Sequence, residues 1–215
     1  MDITRFGHSA LLLESGPHRI LIDPGTFSRD EAFSLTGLDA IVVTHQHPDH
    51  VDPARIERLL AANPDARLLA EPQTVAALDG LGVWQPLAAN VTVELGPSLT
   101  LTGVGFEHAV IHPDMPTIGN VGVLAEAEGT RLFHPGDSYE SIPRAVDVLA
   151  VPLSAPWAKV SETVDFVRAV APRVVFPIHD GTISDLGYPI YWGRVAEMGG
   201  AEEALLLGPD GTATV

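Results

Sequence analysis

Cysteine is missing from all 215 residues of the chain, which excludes disulfide bridges, thiolate-bound zinc and a cysteine nucleophile together. Lysine is nearly missing too: Lys159 stands alone beside eleven arginines, against 28 acidic residues, for a formal charge of −16. Such a balance repels phosphate backbones and anionic lipid, so neither nucleic acid nor a membrane surface is an expected partner. It argues less strongly against small anions, because bound divalent ions reverse the sign of the field inside their own cleft. No apolar run reaches the roughly 20 residues that span a bilayer. An apparent strand begins within a few residues of Met1, leaving no room for a charged leader and an apolar segment, so a cytoplasmic location is expected. No linker rich in Gly, Ser or charge divides the chain, and residues 1–215 are expected to form one domain large enough to bury a core without staples.

What the chain does have is histidine, nine in all, three of them packed into Thr44-His45-Gln46-His47-Pro48-Asp49-His50. The preceding run Asp39-Ala40-Ile41-Val42-Val43 is short, apolar and β-branched, as a buried strand requires. Pro48 blocks regular backbone pairing, so the four potential ligands belong on a tight loop at the strand's C-terminal end. Imidazole nitrogens with a carboxylate suit zinc, iron, manganese or nickel. A polar turn with incidental histidines is the weaker explanation of so dense a cluster.

His45-x-His47-x-Asp49-His50 resembles the H-x-H-x-D-H signature of the metallo-β-lactamase-fold hydrolases. Many members carry glycine soon after the last histidine, where this chain has Val51-Asp52-Pro53, a departure that points away from the β-lactamase and glyoxalase branches. The resemblance implies a mixed α/β (α+β) class and a four-layer αββα sandwich, built from two similar halves that deliver ligands from strand ends. An early-strand aspartate, here Asp23 of Ile22-Asp23-Pro24-Gly25, would support the metal loop. Without the resemblance, Asp-Pro-Gly reads as a turn. His8, in Gly7-His8-Ser9, stands between a structural role and an approach to the site.

The rest of the chain alternates in an α/β manner. Ile3 to Glu14 and Arg19 to Asp23 read as a hairpin turned at Ser15-Gly16-Pro17, with Gly7-His8-Ser9 interrupting the first strand. Residues 26–38 show no periodicity and are expected to rim the cleft. Helices are expected over 53–62, with Asp52 as N-cap, and over 72–78, with a strand at 67–70 between them. Alternating Val91–Leu95 and Leu99–Thr102 form a half-exposed hairpin about Gly96-Pro97. A further hairpin, 120–126 with 130–133, runs into His134-Pro135-Gly136-Asp137-Ser138. An interior strand at 147–153, a helix at 161–171 capped by Ser161, a buried strand at 173–178 ending in His179-Asp180-Gly181, a helix at 190–198 and a last strand pair, 204–207 with 212–215, complete the pattern. His134 is expected to be structural.

By resemblance, His45, His47 and His108 hold one metal, Asp49, His50 and His179 hold another, and Asp137 bridges the two. His108 follows a strand directly, which favours it over His112 as the third histidine; the other would line the pocket or support a ligand. Seven donors exceed what one ion uses, so two divalent ions are expected, zinc first, then manganese, with nickel and iron the remaining choices. Two ions about 3.5–4 Å apart can share an activated hydroxide and polarise a scissile carbonyl or phosphoryl group. Their charge, set against two aspartates and a hydroxide, leaves the cleft positive and compatible with an anionic small-molecule substrate. Asp49 is expected to orient the hydroxide and accept a proton as well as hold metal.

The expected activity is therefore hydrolysis of an ester, lactone or phosphoester bond. Gly-His-Ser followed by Leu-Leu-Leu-Glu resembles the branch that contains the ascorbate 6-phosphate lactonases, some of which use manganese. Trp157 either walls the pocket or packs against the core, the second being the commoner fate of a tryptophan. One alternative is a nuclease of the same fold, similar to tRNA 3′-end processing enzymes, for which the chain lacks a basic gripping surface. Another is a metal-binding module without activity. A homo-oligomer is compatible with these features.

Overall fold

The computed structural model describes residues 1–96 and 98–215, so Pro97, expected at a hairpin turn, lies outside the described residues. Strands β1 (Asp2–Arg5), β2 (Leu11–Ser15), β3 (His18–Ile22), β4 (Ala40–Val43), β5 (Arg67–Ala70) and β6 (Gln85–Pro86) lie side by side in chain order. The second sheet follows the same rule with β7 (Thr92–Gly96), β8 (Leu99–Val104), β9 (Gly122–Ala127), β10 (Thr130–His134), β11 (Val148–Pro152), β12 (Val174–Ile178) and β13 (Glu203–Ala204). The final strand, β14 (Thr212–Thr214), returns to the first sheet and pairs antiparallel with β1. Helices α1 (Ile56–Ala62) and α2 (Pro72–Ala77) belong to the first half, α3 (Val160–Val170) and α4 (Tyr188–Met198) to the second.

Side-chain alternation explains the layers. In β2, β3 and β4, Leu11, Leu13, Ile20, Ile22, Ala40 and Val42 face the opposite sheet. Their neighbours Leu12, Leu21, Ile41 and Val43 instead meet Ile56, Leu59 and Phe33 on the helical side. The second sheet repeats this: Val148, Ala150, Val174 and Phe176 point inward, while Leu149, Val151 and Val175 pack on Val164, Val167 and Trp192. A strand buried on both faces must be apolar at every position, which is why these runs read as continuous. Three cores between four layers make the αββα sandwich.

Strand direction then positions the chemistry. β1 and β3 both run antiparallel to β2, and β3, β4 and β5 are mutually parallel, so β1, β3, β4 and β5 end at one edge. By the same reasoning β8, β10, β11 and β12 share a direction. The chain beyond these ends carries His8, Asp23, the 44–50 loop, His108, Asp137 and His179. Main-chain bonds tie the two edges together, from Val121 N–H to the Thr44 carbonyl (2.9 Å) and from His179 N–H to the His8 carbonyl (3.0 Å).

Four local expectations need correction. α1 begins at Ile56 rather than Pro53, because Asp52 accepts from Ala54 N–H (2.8 Å) and closes a separate turn ahead of the helix. Ser161 lies inside α3 and caps nothing: the first helical bond runs from Thr163 N–H to the Lys159 carbonyl, so Lys159 takes the cap position. The two last strands do not pair with each other. β13 follows β12 through α4 and so lies parallel beside it, whereas β14 fills the open edge at β1. Finally, 26–38 is not all rim, since a 3-10 turn at Asp30–Ser34 buries Ala32 and Phe33 in the helix-side core.

Candidate metal centre

The strand ends bring His8, His45, His47, Asp49, His50, His108, Asp137 and His179 to one place, in three overlapping groups whose donor atoms lie within 4.8 Å of one another. His45, His47 and His108 form one group, Asp49, His50 and His179 with His8 a second, and Asp137 joins His45 and His50 in the third. His112 is outside all of them. It is exposed, and its ring accepts from Asp114 N–H (3.2 Å).

The ligand loop owes its shape to the turn before it. Asp23 has φ +51°, and Gly25 passes so close beneath the loop that a Cβ there would sit 1.8 Å from the Asp49 carbonyl oxygen. Thr26 N–H donates to the Pro48 carbonyl (2.8 Å) and Asp52 N–H to that of Pro24 (3.0 Å), strapping loop and turn together.

Proton positions can be worked out ring by ring. A carbonyl or carboxylate oxygen only accepts, so His50 Nδ1–H donates to Asp23 Oδ2 (2.6 Å), His108 Nδ1–H to the Ala109 carbonyl (2.6 Å) and His179 Nδ1–H to the Ser154 carbonyl (2.6 Å). Thr44 gives its hydroxyl proton to Asp23 Oδ2 (2.7 Å) and so accepts from His45 Nδ1–H (3.1 Å). The second Asp23 oxygen takes Thr44 N–H (2.8 Å). Nitrogen Nε2 of each of these four rings is thereby freed to act as a lone-pair donor, the arrangement typical of metal-binding histidines.

For three of the four rings, that nitrogen meets no partner among the described residues. His50, His108 and His179 Nε2 and Asp137 Oδ1 are all buried with no hydrogen-bond partner among the described residues. His50 Nε2 lies 3.1 Å from Asp137 Oδ1, yet the two are not aligned to bond each other. His45 Nε2 is the exception, within hydrogen-bond distance (3.1 Å) of His47 Nδ1. Buried polar atoms left orphaned are strongly unfavourable, and a cluster of them aimed at common points fits bound cations.

The ionisation pattern asks for positive charge. Burial opposes charging everywhere, but Asp137 and Asp23 nevertheless raise the His50 pKa well above its ordinary value, and Asp137 with Asp49 pushes His179 up to about 9. Asp137 is in turn held well below the carboxylate range by His50 and His179, against its own burial. Asp49 is lowered as well, against its burial, by His179 and His8. Burial, helped by the neighbouring histidines, carries His45 far down and lowers His47. Metal-free, the site retains protons as its cations; loading with divalent ions displaces them.

Two contributors, Asn120 and Arg5, carry no signal in the sequence, and a third, Trp157, is expected from it only to wall the pocket or pack. Trp157 does not simply pack: its Nε1–H donates to Asp137 Oδ2 (3.0 Å), so the indole orients that carboxylate. Asn120 accepts from Asp137 N–H (3.0 Å) and donates to the Pro135 carbonyl (2.9 Å), fixing the Gly-Asp turn at its base. Arg5 is fully buried, paired with Asp180 (2.7 Å) and hydrogen-bonded to the His8 carbonyl (3.2 Å), which locks the residue after His179 to the first strand. No residue-type pattern advertises Asn120 or Arg5, whose contacts join segments distant in the chain. His8 accepts from Gly181 N–H at Nδ1 (3.1 Å), so its Nε2–H donates to Asp49 Oδ2 (3.2 Å), and burial moves its pKa down to about 4, keeping it neutral. His134 is structural: it donates to the Ser9 carbonyl (3.0 Å) and accepts from Gly136 N–H (3.1 Å).

A family profile described as the beta-lactamase superfamily domain matches residues 2–179. The chain belongs to the beta-lactamase superfamily. Within the superfamily it is 47% identical over 200 residues to Protein Rv0786c of Mycobacterium tuberculosis, covering 92% of each chain. It is 26% identical over 221 residues to a UPF0173 metal-dependent hydrolase of Aeropyrum pernix, covering 91% of this chain and 86% of that one. Its structure superposes on the metallo-β-lactamase-fold protein YhfI of Bacillus subtilis with a TM-score of 0.76 at 15% identity, over 99% and 98% of the two chains, a likeness of fold. The chain thus has the metallo-β-lactamase fold, with a His/Asp cluster suited to metal. No helix among the described residues is long and apolar enough to cross a membrane.

Proposed function

We propose that this protein is a hydrolase that cleaves an ester, lactone or phosphoester bond of a small molecule at a centre for two divalent ions, zinc first and manganese second. His45, His47 and His108 would hold one ion, Asp49, His50 and His179 the other, and Asp137 both. The observation that carries this reading is the set of buried donor atoms on His50, His108, His179 and Asp137 that have no partner among the described residues. Bound ions of this kind supply Lewis acidity and bring the pKa of water towards neutrality.

The protein's own groups account for the rest. Asp23 and Thr44 fix the rings of His45 and His50, and the Ala109 and Ser154 carbonyls fix those of His108 and His179. Asp49 is ionised, and its Oδ2 is pinned by the neutral His8. That leaves Oδ1 to accept a proton from the attacking water and return it to the leaving oxygen. Trp157 holds Asp137 so that its Oδ1 faces the cluster.

The test is chelator-stripped protein, reloaded with zinc or manganese, with metal content measured before assay on esters, lactones and a generic phosphodiester. About two ions per chain and activity on at least one small substrate are expected. Retention of no cation, or turnover confined to RNA, would contradict the proposal.

A further inference from the structure

A hollow of about 700 Å³ opens beside the donor cluster, shares His108 and Trp157 with it, and is of a size to hold a small ligand. Val110, Ile111 and Pro156 supply apolar wall. A smaller recess along the 109–118 loop, lined by His47 and His108, adds Met115, Pro116 and Ile118. His108, whose Nε2 is buried with no partner among the described residues, belongs to both linings.

The charges of this hollow are one-sided. Among the described residues its only Lys or Arg is Lys159, which pairs with Glu162 of the same wall (3.4 Å). Glu107 and Glu140 are exposed on the lining, with no ion-pair partner among the described residues. No arginine lines either hollow among the described residues. Recognition of a phosphate or carboxylate usually rests on an arginine fork or a free ammonium. An anionic tail here would meet two unpaired carboxylates instead.

Resting on the hydrolase reading above, we infer that the substrate is apolar and neutral or cationic away from its reacting bond, and carries no phosphate or carboxylate there. The positive character expected of the loaded centre serves the reacting group alone. A phosphorylated sugar lactone, the substrate class suggested by the N-terminal Gly-His-Ser resemblance, does not suit this wall.

Hydroxamic acids test this without knowing the scissile bond, because the hydroxamate anchors at a metal centre and the tail samples the wall. Hexanohydroxamic acid and its 6-ammonio and 6-carboxy derivatives would be titrated calorimetrically into the zinc-loaded full chain. The neutral and ammonium tails should bind about tenfold more tightly than the carboxylate, the order expected for like charges meeting in a partly wet cleft. Glu107→Gln with Glu140→Gln should bring the ammonium-to-carboxylate ratio towards one, and Glu140→Lys should invert it. Equal or tighter binding of the carboxylate tail by the unmodified protein overturns the inference. So does failure of every hydroxamate to bind protein that holds metal. Protein that holds no metal overturns the hydrolase reading beneath it.

Discussion

The two halves of the molecule solve the same problem by different means. In the first half, four donors come from six consecutive residues, and their rings are oriented by side chains: Asp23 holds His50 directly and His45 through Thr44. In the second half, three donors come from three separate strand ends, and the two histidines are oriented by main-chain carbonyls, Ala109 for His108 and Ser154 for His179. Carbonyl orientation cannot be lost by changing a side chain, only by moving a loop. The first half should therefore be fragile to point substitution and the second to loop geometry. Asp137 is the exception in the second half, since side chains of Trp157 and Asn120 position it.

Four substitutions can break or sharpen that contrast. The largest effect is expected from Asp137→Ala, the donor proposed to serve both ions: metal content should fall for both, with loss of activity beyond the 10–100-fold typical of removing an outer partner. Metal analysis checks it, and an unchanged metal content would break the claim that Asp137 is shared. Asp23→Ala should lower metal affinity by about 10–100-fold, because it releases the rings of His45 and His50 together. A chelator competition titration measures this. A smaller loss than that from Trp157→Phe would reverse the assignment of side-chain dependence to the first half.

Gly25→Ala should lower stability by about 1–3 kcal/mol, as the added Cβ forces the ligand loop off the turn beneath it. Denaturant unfolding of the metal-free protein reads the change apart from metal binding. Smallest is Trp157→Phe, which keeps the ring and removes only the N–H to Asp137. A loss of about 1 kcal/mol, or several-fold in kcat, is expected, with metal content nearly intact. Steady-state kinetics at full metal loading decides it.

How much of this was legible in the sequence follows the same divide. The 44–50 loop could be read because its donors are neighbours in the chain and its strand is apolar on both faces. Both sheets could be read as well, since strands such as β4 and β12 show continuous apolar runs. His108 and His112 are four residues apart in one loop. Their separation into site and surface depends on pairing far away, with His108 N–H donating to Ile118 and Ala109 N–H to Asp137. Trp157, Asn120 and Arg5 act through contacts between segments 17 to 175 positions apart, and residue type gives no sign of which partner each will meet. The tail was misread for a related reason. Two short strands close in sequence suggest a hairpin, but each had a better edge to join.

The central claim is that both halves deliver donors to two cations sharing one carboxylate. Anomalous diffraction from crystals of the zinc-loaded protein tests it most directly. Two peaks are predicted, one in bonding contact with His45, His47 and His108, the other with Asp49, His50 and His179, and both with Asp137. A single peak, or peaks that leave His179 and Asp137 without metal, would contradict it.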